Sequence, residues 1–356
     1  MIISNPSEDF SSEPAKNRPV SIRDIAARVG VSHTTVSRAM HNSPLISREV
    51  RERIQQIAAE MGYVPNAVAQ SLKQRQTDSV GLVVTSIADP FVGRVVRGIE
   101  EVAQAAGMSV ILSVSNNQPD QEMAVIENFN RRRVDGIIVA ASRLEPANLQ
   151  RLARWSIPVV LINPQTDTPS IGLASIAIDD FAGAKQAVEH LLVLGHHRIG
   201  YIGAGNRPRS DRLRLEGYQA ALTAAGIEPR REWIQIAAPA HRYYADDVSD
   251  GQELLEPLLQ AGVSAVFCYN DSIAIGALLA ARERGIAVPA RLSLVGFDNN
   301  ETGQYVTPPL TTIHQPKLRM GQLAMEMLLD RLAGRAVESQ LLASELIVRE
   351  SSAPPE

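Results

Sequence analysis

The sequence predicts an N-terminal all-α helix-turn-helix head, followed by an α/β core of two doubly wound parallel-sheet subdomains. In the head, apolar side chains recur at helical spacing on either side of Gly30. From Ser79 onwards, short apolar runs alternate with amphipathic stretches, which is typical of buried parallel strands joined by helices. The alternation restarts after Asp179, and this restart indicates two successive sheets.

The first two helices lie in the stretch IRDIAARVGVSHTTVSRAMH, residues 22–41. Gly30 permits a backbone angle that a β-carbon would penalise, so a tight turn is expected there. We expect Ala26 at the helix crossing and Val36 packed against the first helix. A helix, a tight turn and a helix form the unit that lays its second helix in a DNA major groove. The polar side chains of that second helix suit phosphates and base edges: Ser32, His33, Thr34, Thr35, Ser37 and Arg38.

Capping residues define the ends of the head, which is predicted for residues 19–64. Ser21 and Asp24 have the approximate spacing of a capping box for the first helix. Ser47 is a candidate cap for a third helix, which Gly62 ends. Residues 1–18 are rich in Ser, Glu, Pro and Asn, so we expect a disordered tail. The third helix has apolar residues at helical spacing: Val50, Ile54, Ile57, Ala58 and Met61.

Residues 65–77 form the connection to the core. Pro65 breaks the chain, and the NAVAQSL stretch that follows is too short to be a stable isolated helix in water. The residues alone favour a plain linker, with a helix that forms only on a partner as the alternative.

Charge and cysteine content bound the partners and the compartment. The chain has a net charge of −4, yet residues 18–75 contain eight arginines and one lysine against four acidic residues. A basic head on an acidic body suits a polyanion at one end. The single cysteine, Cys268, excludes a disulfide within one chain, fits a reducing compartment, and is interpreted as a core residue. No segment approaches the about 20 apolar residues of a membrane span, and no secretory signal is recognised, so we predict a cytoplasmic protein without a membrane partner.

The sequence contains no catalytic motif. The stretch GAGN lacks the third glycine of a dinucleotide fingerprint, and neither a P-loop nor a nucleophile elbow is present. His196 and His197 are adjacent, a spacing that does not suit zinc, so no metal and no cofactor are expected. Three classes of function remain: a ligand-responsive DNA-binding regulator, a sugar-binding transport protein, and an enzyme of nucleotide or sugar metabolism.

A series of segments between residues 20 and 354, taken with their order and spacing along the chain, resembles the LacI/GalR family of bacterial transcription regulators. They include VSIRDIAARVGVSHTTVSR, MGYVPNAVAQSL, RVDGIIV, LGHHRIGYIG, RLEGY, YNDSIAIGAL, LSLVGFDN and PPLTTIHQP. The resemblance implies a non-enzymatic repressor with a DNA-binding head, a hinge helix and a periplasmic-binding-protein-like core. It also implies a homodimer on a near-palindromic stretch of double-stranded operator DNA. The chain stops at SSAPPE without the leucine heptad of family tetramers, so a dimer is expected.

The resemblance also assigns DNA-binding residues. His33, Thr34 and Arg38 match base-reading positions, with an ordinary solvated surface residue as the less favoured alternative for His33. Ser32, Thr35 and Ser37 match phosphate partners, which set register without reading sequence. The segment 66–72 matches the hinge that folds on operator DNA, which raises the helix above the plain linker. Its DNA-binding positions are Asn66, Ala69 and Leu72, and Leu72 matches a minor-groove wedge, with ordinary helix packing as the alternative.

The core is expected to bind a small effector, a sugar or sugar derivative, between its subdomains. The implied boundaries are residues 78–178 with 314–344, and residues 179–313 with 345–356. A guanidinium beside carboxylates and amides suits vicinal hydroxyls, and an aromatic ring suits the apolar face of a pyranose. The alternative is that these polar residues tie strand ends together. The implied effector-binding positions are Asp89, Phe91, Asn163 (where the family usually has Asp), Arg214, Asn270, Asp298 and Gln315.

Overall fold

The computed structural model describes residues 20–64, 76–166, 172–238 and 247–356. The chain divides into two compact units, Met1–Arg75 and Gln76–Glu356, which are described separately. The predicted tail and the hinge positions Asn66, Ala69 and Leu72 lie outside the described residues.

The first unit contains the predicted helix-turn-helix. Its helices are α1 (Ile22–Val29), α2 (His33–Met40) and α3 (Arg48–Glu60). Gly30 has a φ of 79°, and its N–H donates to the carbonyl of Ala26 at 2.9 Å, which confirms the predicted turn. The three helices share a small apolar core of Ile25, Ala26, Val36, Ala39, Ile54 and Ala58.

Two helix caps differ from each other in the head. The backbone N–H and the hydroxyl of Ser21 both donate to Asp24 Oδ2, at 2.8 and 2.6 Å, so the predicted pairing is present. Ser47 occupies the N-cap position of α3, as predicted, although its side chain makes no cap hydrogen bond. Val50 shares the helical spacing of Ile54, yet it is 39% exposed because the first turn of α3 extends beyond the small core.

The second unit begins with a six-stranded parallel sheet. Its strands are β1 (Ser79–Val84), β2 (Ser109–Val114), β3 (Gly136–Ala140), β4 (Val159–Ile162), β5 (Ala174–Ile178) and β11 (Gln340–Leu342). Their order is β11-β5-β4-β3-β1-β2. The accompanying helices are α4 (Pro90–Ala105), α5 (Pro119–Arg131), α6 (Pro146–Ala153) and α12 (Lys317–Leu332). We call this sheet with its helices the first subdomain.

The second subdomain repeats the same plan. Its strands are β6 (Ile199–Gly203), β7 (Ile234–Ile236), β8 (Ala265–Cys268), β9 (Ser293–Asp298), β10 (Thr311–His314) and β12 (Glu345–Ile347). Their order is β12-β10-β9-β8-β6-β7, with β12 antiparallel to β10 and the other pairs parallel. The helices are α7 (Asp180–Val193), α8 (Pro208–Ala224), α9 (Asp247–Gln260), α10 (Asp271–Glu283) and α11 (Thr302–Tyr305), with a 3₁₀ turn at Arg231–Trp233.

Three short connections join the two subdomains within the described residues. They are Asp179 after β5, Gln315–Pro316 after β10, and Ala343–Ser344 after β11. The sequence prediction began the returning first-subdomain segment at residue 314. His314 is instead the last residue of β10 and pairs with Asp298 and Glu345 of the second sheet, so the crossing begins one residue later.

Glycines allow the closest helix contacts of the core. A β-carbon on Gly98 of α4 would meet the carbonyl of Leu318 in α12, and one on Gly321 would meet the carbonyl of Val95. Gly251 and Gly276 form the equivalent reciprocal pair between α9 and α10. Cys268 is fully buried, as its interpretation as a core residue requires. In the described part of the chain, no helix combines the length and apolar character that a membrane crossing needs.

Candidate functional site

Residues at or just beyond the carboxyl ends of strands from both sheets line a narrow cleft. Ligands of open parallel sheets bind at such strand ends. We call the part nearest Arg214 and Tyr269 the inner chamber. Six of the seven predicted effector positions line it: Asp89, Phe91, Asn163, Arg214, Asp298 and Gln315. The seventh, Asn270, lines an adjoining outer chamber together with Asn117, Asp247 and Asn300.

Arg214 is held rigidly at the wall of the inner chamber. Its Nε and Nη2 each lie 2.9 Å from Asp180 Oδ1, and its Nη1 donates to the carbonyl of Tyr269. The guanidinium carbon lies 4.2 Å from the ring centroid of Tyr269 and 3.6 Å from that of Phe297. Burial lowers the pKa of Arg214, but Tyr269, Asp180 and Asp298 outweigh that effect and raise it overall. The side chain therefore presents a fixed positive charge.

Arg207, which the sequence analysis missed, spans the cleft. Its Nη2 lies 2.9 Å from Asp89 Oδ2 in the first subdomain, and its Nη1 lies 3.4 Å from Asp247 Oδ2 in the second. Asp89 also caps α4 by accepting from the N–H of Phe91 at 2.9 Å. Arg207, Asp89 and Asp298 line both chambers, so the ion pair forms part of the boundary between them.

Asp298 and Gln315 connect the ends of β9 and β10. Gln315 Nε2 donates to Asp298 Oδ1 at 2.5 Å, and Lys317 Nζ donates to the carbonyls of Asp298 and Asn299. Asp298 has a φ of 111°, a region that non-glycine residues rarely adopt and that often marks functional sites. Gln315 Oε1 is buried without a hydrogen-bond partner among the described residues, so it retains a free acceptor.

Two predicted positions have structural hydrogen bonds of their own. Asn163 Oδ1 accepts from the N–H of Ile178 at 3.1 Å and so ties the end of β4 to β5. Asn270 Oδ1 caps α10 by accepting from Ile273 at 2.9 Å, and its Nδ2 donates to Asp247 at 2.5 Å. These contacts are those of the strand-end alternative, although Asn163 still lines the inner chamber.

A buried acid lies behind Asp298. Asp271 Oδ2 accepts from the N–H of Asn300 at 2.6 Å, and its Oδ1 accepts from Thr312 Oγ1 at 2.5 Å. Burial, followed by the nearby charge of Asp298, raises the pKa of Asp271 to about 7. Asp271 therefore holds its proton far more tightly than an exposed aspartate does.

A second link across the cleft was also missed. Ser210 donates from its N–H and its hydroxyl to Gln165 Oε1, at 3.3 and 3.1 Å, and its hydroxyl lies 2.7 Å from the Tyr269 hydroxyl. Tyr269 directly follows β8 and Gln165 closely follows β4, so their positions after apolar runs were the available signal.

The head presents a separate polar surface on α2. His33, Thr34 and Arg38 are exposed, and the Arg38 guanidinium makes no hydrogen bond or ion pair with another described residue. Ser32 caps α2 by accepting from Thr35 N at 3.1 Å, and the two hydroxyls lie 2.8 Å apart. Ser37 is half-buried. Over the ranges the structure covers, no cluster of three His, Cys, Asp or Glu side chains has the arrangement of a metal site.

Both the head and the core of the chain resemble known proteins. Residues 21–66 match the family described as bacterial regulatory proteins, lacI family, and residues 188–352 match a periplasmic binding protein-like domain. The transcriptional regulator GalS of Salmonella typhimurium (strain LT2) is 35% identical over 88% of this chain and 91% of its own length. The lac repressor dimer bound to operator and the anti-inducer ONPF has a TM-score of 0.84 and 30% identity, covering 94% of this chain and all of that one. The CelR–cellobiose complex has a TM-score of 0.69 and 29% identity over 94% of this chain and all of its own.

A helix-turn-helix head and a two-lobed core with a polar cleft define the class of ligand-binding DNA regulators. The chain belongs to the lacI family of bacterial regulatory proteins. It is a DNA-binding transcriptional regulator with a ligand-binding core.

Proposed function

We propose that this regulator is a cytoplasmic repressor that binds near-palindromic operator DNA as a homodimer. A sugar or sugar derivative in the inner chamber controls its affinity for the operator. The observation that carries the effector site is the fixed Arg214, held by Asp180 between two aromatic rings among polar residues of both subdomains.

The inner chamber suits a polyol because it offers complementary hydrogen-bonding groups. Each sugar hydroxyl both donates and accepts, so it needs acceptors such as Asp298 and the free Gln315 Oε1 as well as donors such as Arg214. Phe91 provides an apolar surface for the face of a sugar ring. The bound cellobiose of CelR and the operator-bound lac repressor are supporting parallels from relatives.

The exposed face of α2 is proposed to read the operator. Arg38 has the reach and the paired donors for the O6 and N7 atoms of guanine, and His33 and Thr34 are exposed beside it. Ser32, Thr35 and Ser37 are assigned to phosphates, which fix orientation. Asn66, Ala69 and Leu72 are assigned to the hinge on the basis of the sequence, with Leu72 as the minor-groove wedge.

The cleft and the head are proposed to be coupled through the angle between the subdomains. An effector that changes this angle would change the spacing of two hinges in a dimer. A coupling of about 1–3 kcal/mol is enough for a change of about 5- to 150-fold in operator affinity.

Fluorescence anisotropy tests the DNA assignment. A labelled duplex from upstream of the gene for this chain should bind in preference to random competitor DNA. Arg38→Ala should lose most of that preference while retaining weak nonspecific binding, because phosphate contacts remain. The exposed Arg53→Ala on α3 is the matched control and should retain the preference. An unchanged preference in Arg38→Ala would remove Arg38 from base reading.

A thermal-shift screen of neutral sugars, their acids and nucleobases tests the effector assignment. Compounds that raise the melting temperature are then added to the anisotropy assay, where a sugar should change operator affinity. Sedimentation should give a dimer. A monomer with no preference for any duplex, whether or not these compounds are present, would contradict the proposal.

A further inference from the structure

A further arginine, Arg143 of the first subdomain, contacts a residue of the outer chamber without lining either chamber itself. It follows β3 at the carboxyl end of the sheet, and its Nη1 donates to the carbonyl of Asn117 at 3.4 Å. Asn117 lines the outer chamber. Arg143 Nη2 is buried and has no hydrogen-bond partner among the described residues. A buried N–H group without an acceptor is costly, so this atom is suited to an acceptor from a ligand.

No carboxylate neutralises Arg143 directly. Within the part of the chain that the structure describes, no carboxylate oxygen lies within 4.0 Å of its guanidinium nitrogens. Glu122 is nearby, but its two oxygens accept from Ser142 Oγ at 2.5 Å and from the backbone N–H of Arg143 at 3.0 Å. Burial, followed by the positive charge of Arg207, lowers the pKa of Arg143. The contact of Arg143 with Asn117 places it next to the outer chamber, which Arg207 also lines.

The charged residues that line the outer chamber already have partners. Asp89 and Asp247 both contact Arg207, and Asp298 accepts from Gln315 while Arg214 and Lys317 offset its charge. Arg143 is thus the charged group at this edge of the cleft whose compensation is incomplete. Paired guanidinium groups are the preferred protein site for carboxylate and phosphate, because their fork of donors matches those oxygens.

We propose that the effector carries an acid group, a carboxylate or a phosphate, which binds between Arg143 and Arg207 at the outer chamber. The uncharged polyol part of the same molecule occupies the inner chamber beside Arg214. This inference rests on the proposed effector function of the cleft and narrows it to sugar acids and sugar phosphates.

Calorimetric titration of the full-length protein with matched probes tests the inference. The probes are glucose, gluconate, glucuronate and glucose 6-phosphate, and the corresponding galactose series. At least one acid should bind about tenfold or more tightly than its neutral counterpart, because hydrogen bonds to charged groups are the stronger ones. Raising the ionic strength should reduce this difference. The uronate and phosphate arms distinguish the two possible acid groups.

Arg143→Gln should remove the preference for the acid and leave the affinity for the neutral sugar unchanged. Arg143→Lys keeps the charge without the planar fork and should be intermediate, which provides a second test if the glutamine variant folds poorly. The exposed Arg131→Gln is the control and should match the wild type. Circular dichroism and operator binding check that each variant is folded.

The outcomes separate the two proposals. Neutral sugars that bind as tightly as their acids, with Arg143→Gln unaffected, would overturn this inference and leave the sugar effector intact. Failure of both series to bind would overturn the sugar effector, and this inference with it.

Discussion

Arg207 and Asp89 form an ion pair across the cleft, with 2.9 Å between Nη2 and Oδ2. The two residues belong to different sheets, and both side chains are less than one-fifth exposed. A separation of the subdomains on this side must break the contact. The pair therefore contributes to the free energy difference between a closed and an open cleft.

The ion pair should be measurable in a double-mutant cycle of Asp89→Asn and Arg207→Gln. We expect a coupling energy of about 0.5–3 kcal/mol from urea unfolding, because the two charges are shielded from water. The exposed pair of Lys185 and Glu189 provides the control cycle, for which about 0.3–0.5 kcal/mol is expected. Equal coupling energies in the two cycles would show that the cleft ion pair stabilises the protein no more than an exposed ion pair does.

Gly98→Ala should destabilise the core by about 1–3 kcal/mol, as overpacking does. The new methyl group would meet the backbone of α12, which cannot move aside as a flexible side chain could. Gly93→Ala lies on the same helix with open space around the added carbon, and it should stabilise by about 0.5–1 kcal/mol through helix propensity. Urea unfolding compares the two variants, and effects of the same sign would contradict the close helix crossing.

Arg214→Gln should abolish ligand binding and also destabilise the core by about 3–5 kcal/mol, because Asp180 would remain buried without its partner. Asp180→Asn combined with Arg214→Gln removes both charges and should recover part of that stability. Ligand binding should stay absent in the double variant. Calorimetry that detects normal binding in either variant would exclude Arg214 from the site.

The raised pKa of Asp271 predicts a pH dependence of stability. Its folded-state pKa of about 7 lies above its ordinary value of 3.8, so the native state binds this proton more tightly than the unfolded state does. The resulting stabilisation is complete below about pH 4 and is lost as the pH rises through about 7. The free energy of unfolding of the wild type, relative to Asp271→Asn, should therefore fall over that interval. The exposed Asp120→Asn is the control, and a constant difference would contradict the shift.

The sequence was sufficient for the sheets and the head because burial imposes regular patterns on them. Strands covered on both faces become continuous apolar runs, such as AVFC in β8, and helices show a period of 3.6 residues. Asp298 and Arg214 were found through the family resemblance at the ends of such elements. Their grouping in one cleft follows from the parallel order of the strands.

Arg207 and Arg143 were missed because no periodicity marks them. Both lie in irregular segments after strands, and their significance depends on how the two subdomains meet. Asn270 and Ser47 were singled out from the sequence, but their contacts could not be predicted from it. Each has a side chain that suits several roles, and only the structure shows that Asn270 Oδ1 accepts the capping hydrogen bond from Ile273 while the Ser47 side chain makes none.

The three links between the subdomains, Asp179, Gln315–Pro316 and Ala343–Ser344, contain one or two residues each. Connections this short do not allow one subdomain to slide along the other. Relative motion of the subdomains is therefore confined to torsional changes in a few backbone bonds. The two subdomains are therefore expected to rotate about a common hinge. Lengthening any one connection would also allow them to translate relative to each other. Inserting glycines between Ala343 and Ser344 should accordingly reduce the effect of the cleft ligand on operator affinity. The insertion changes neither the residues that line the cleft nor those of α2.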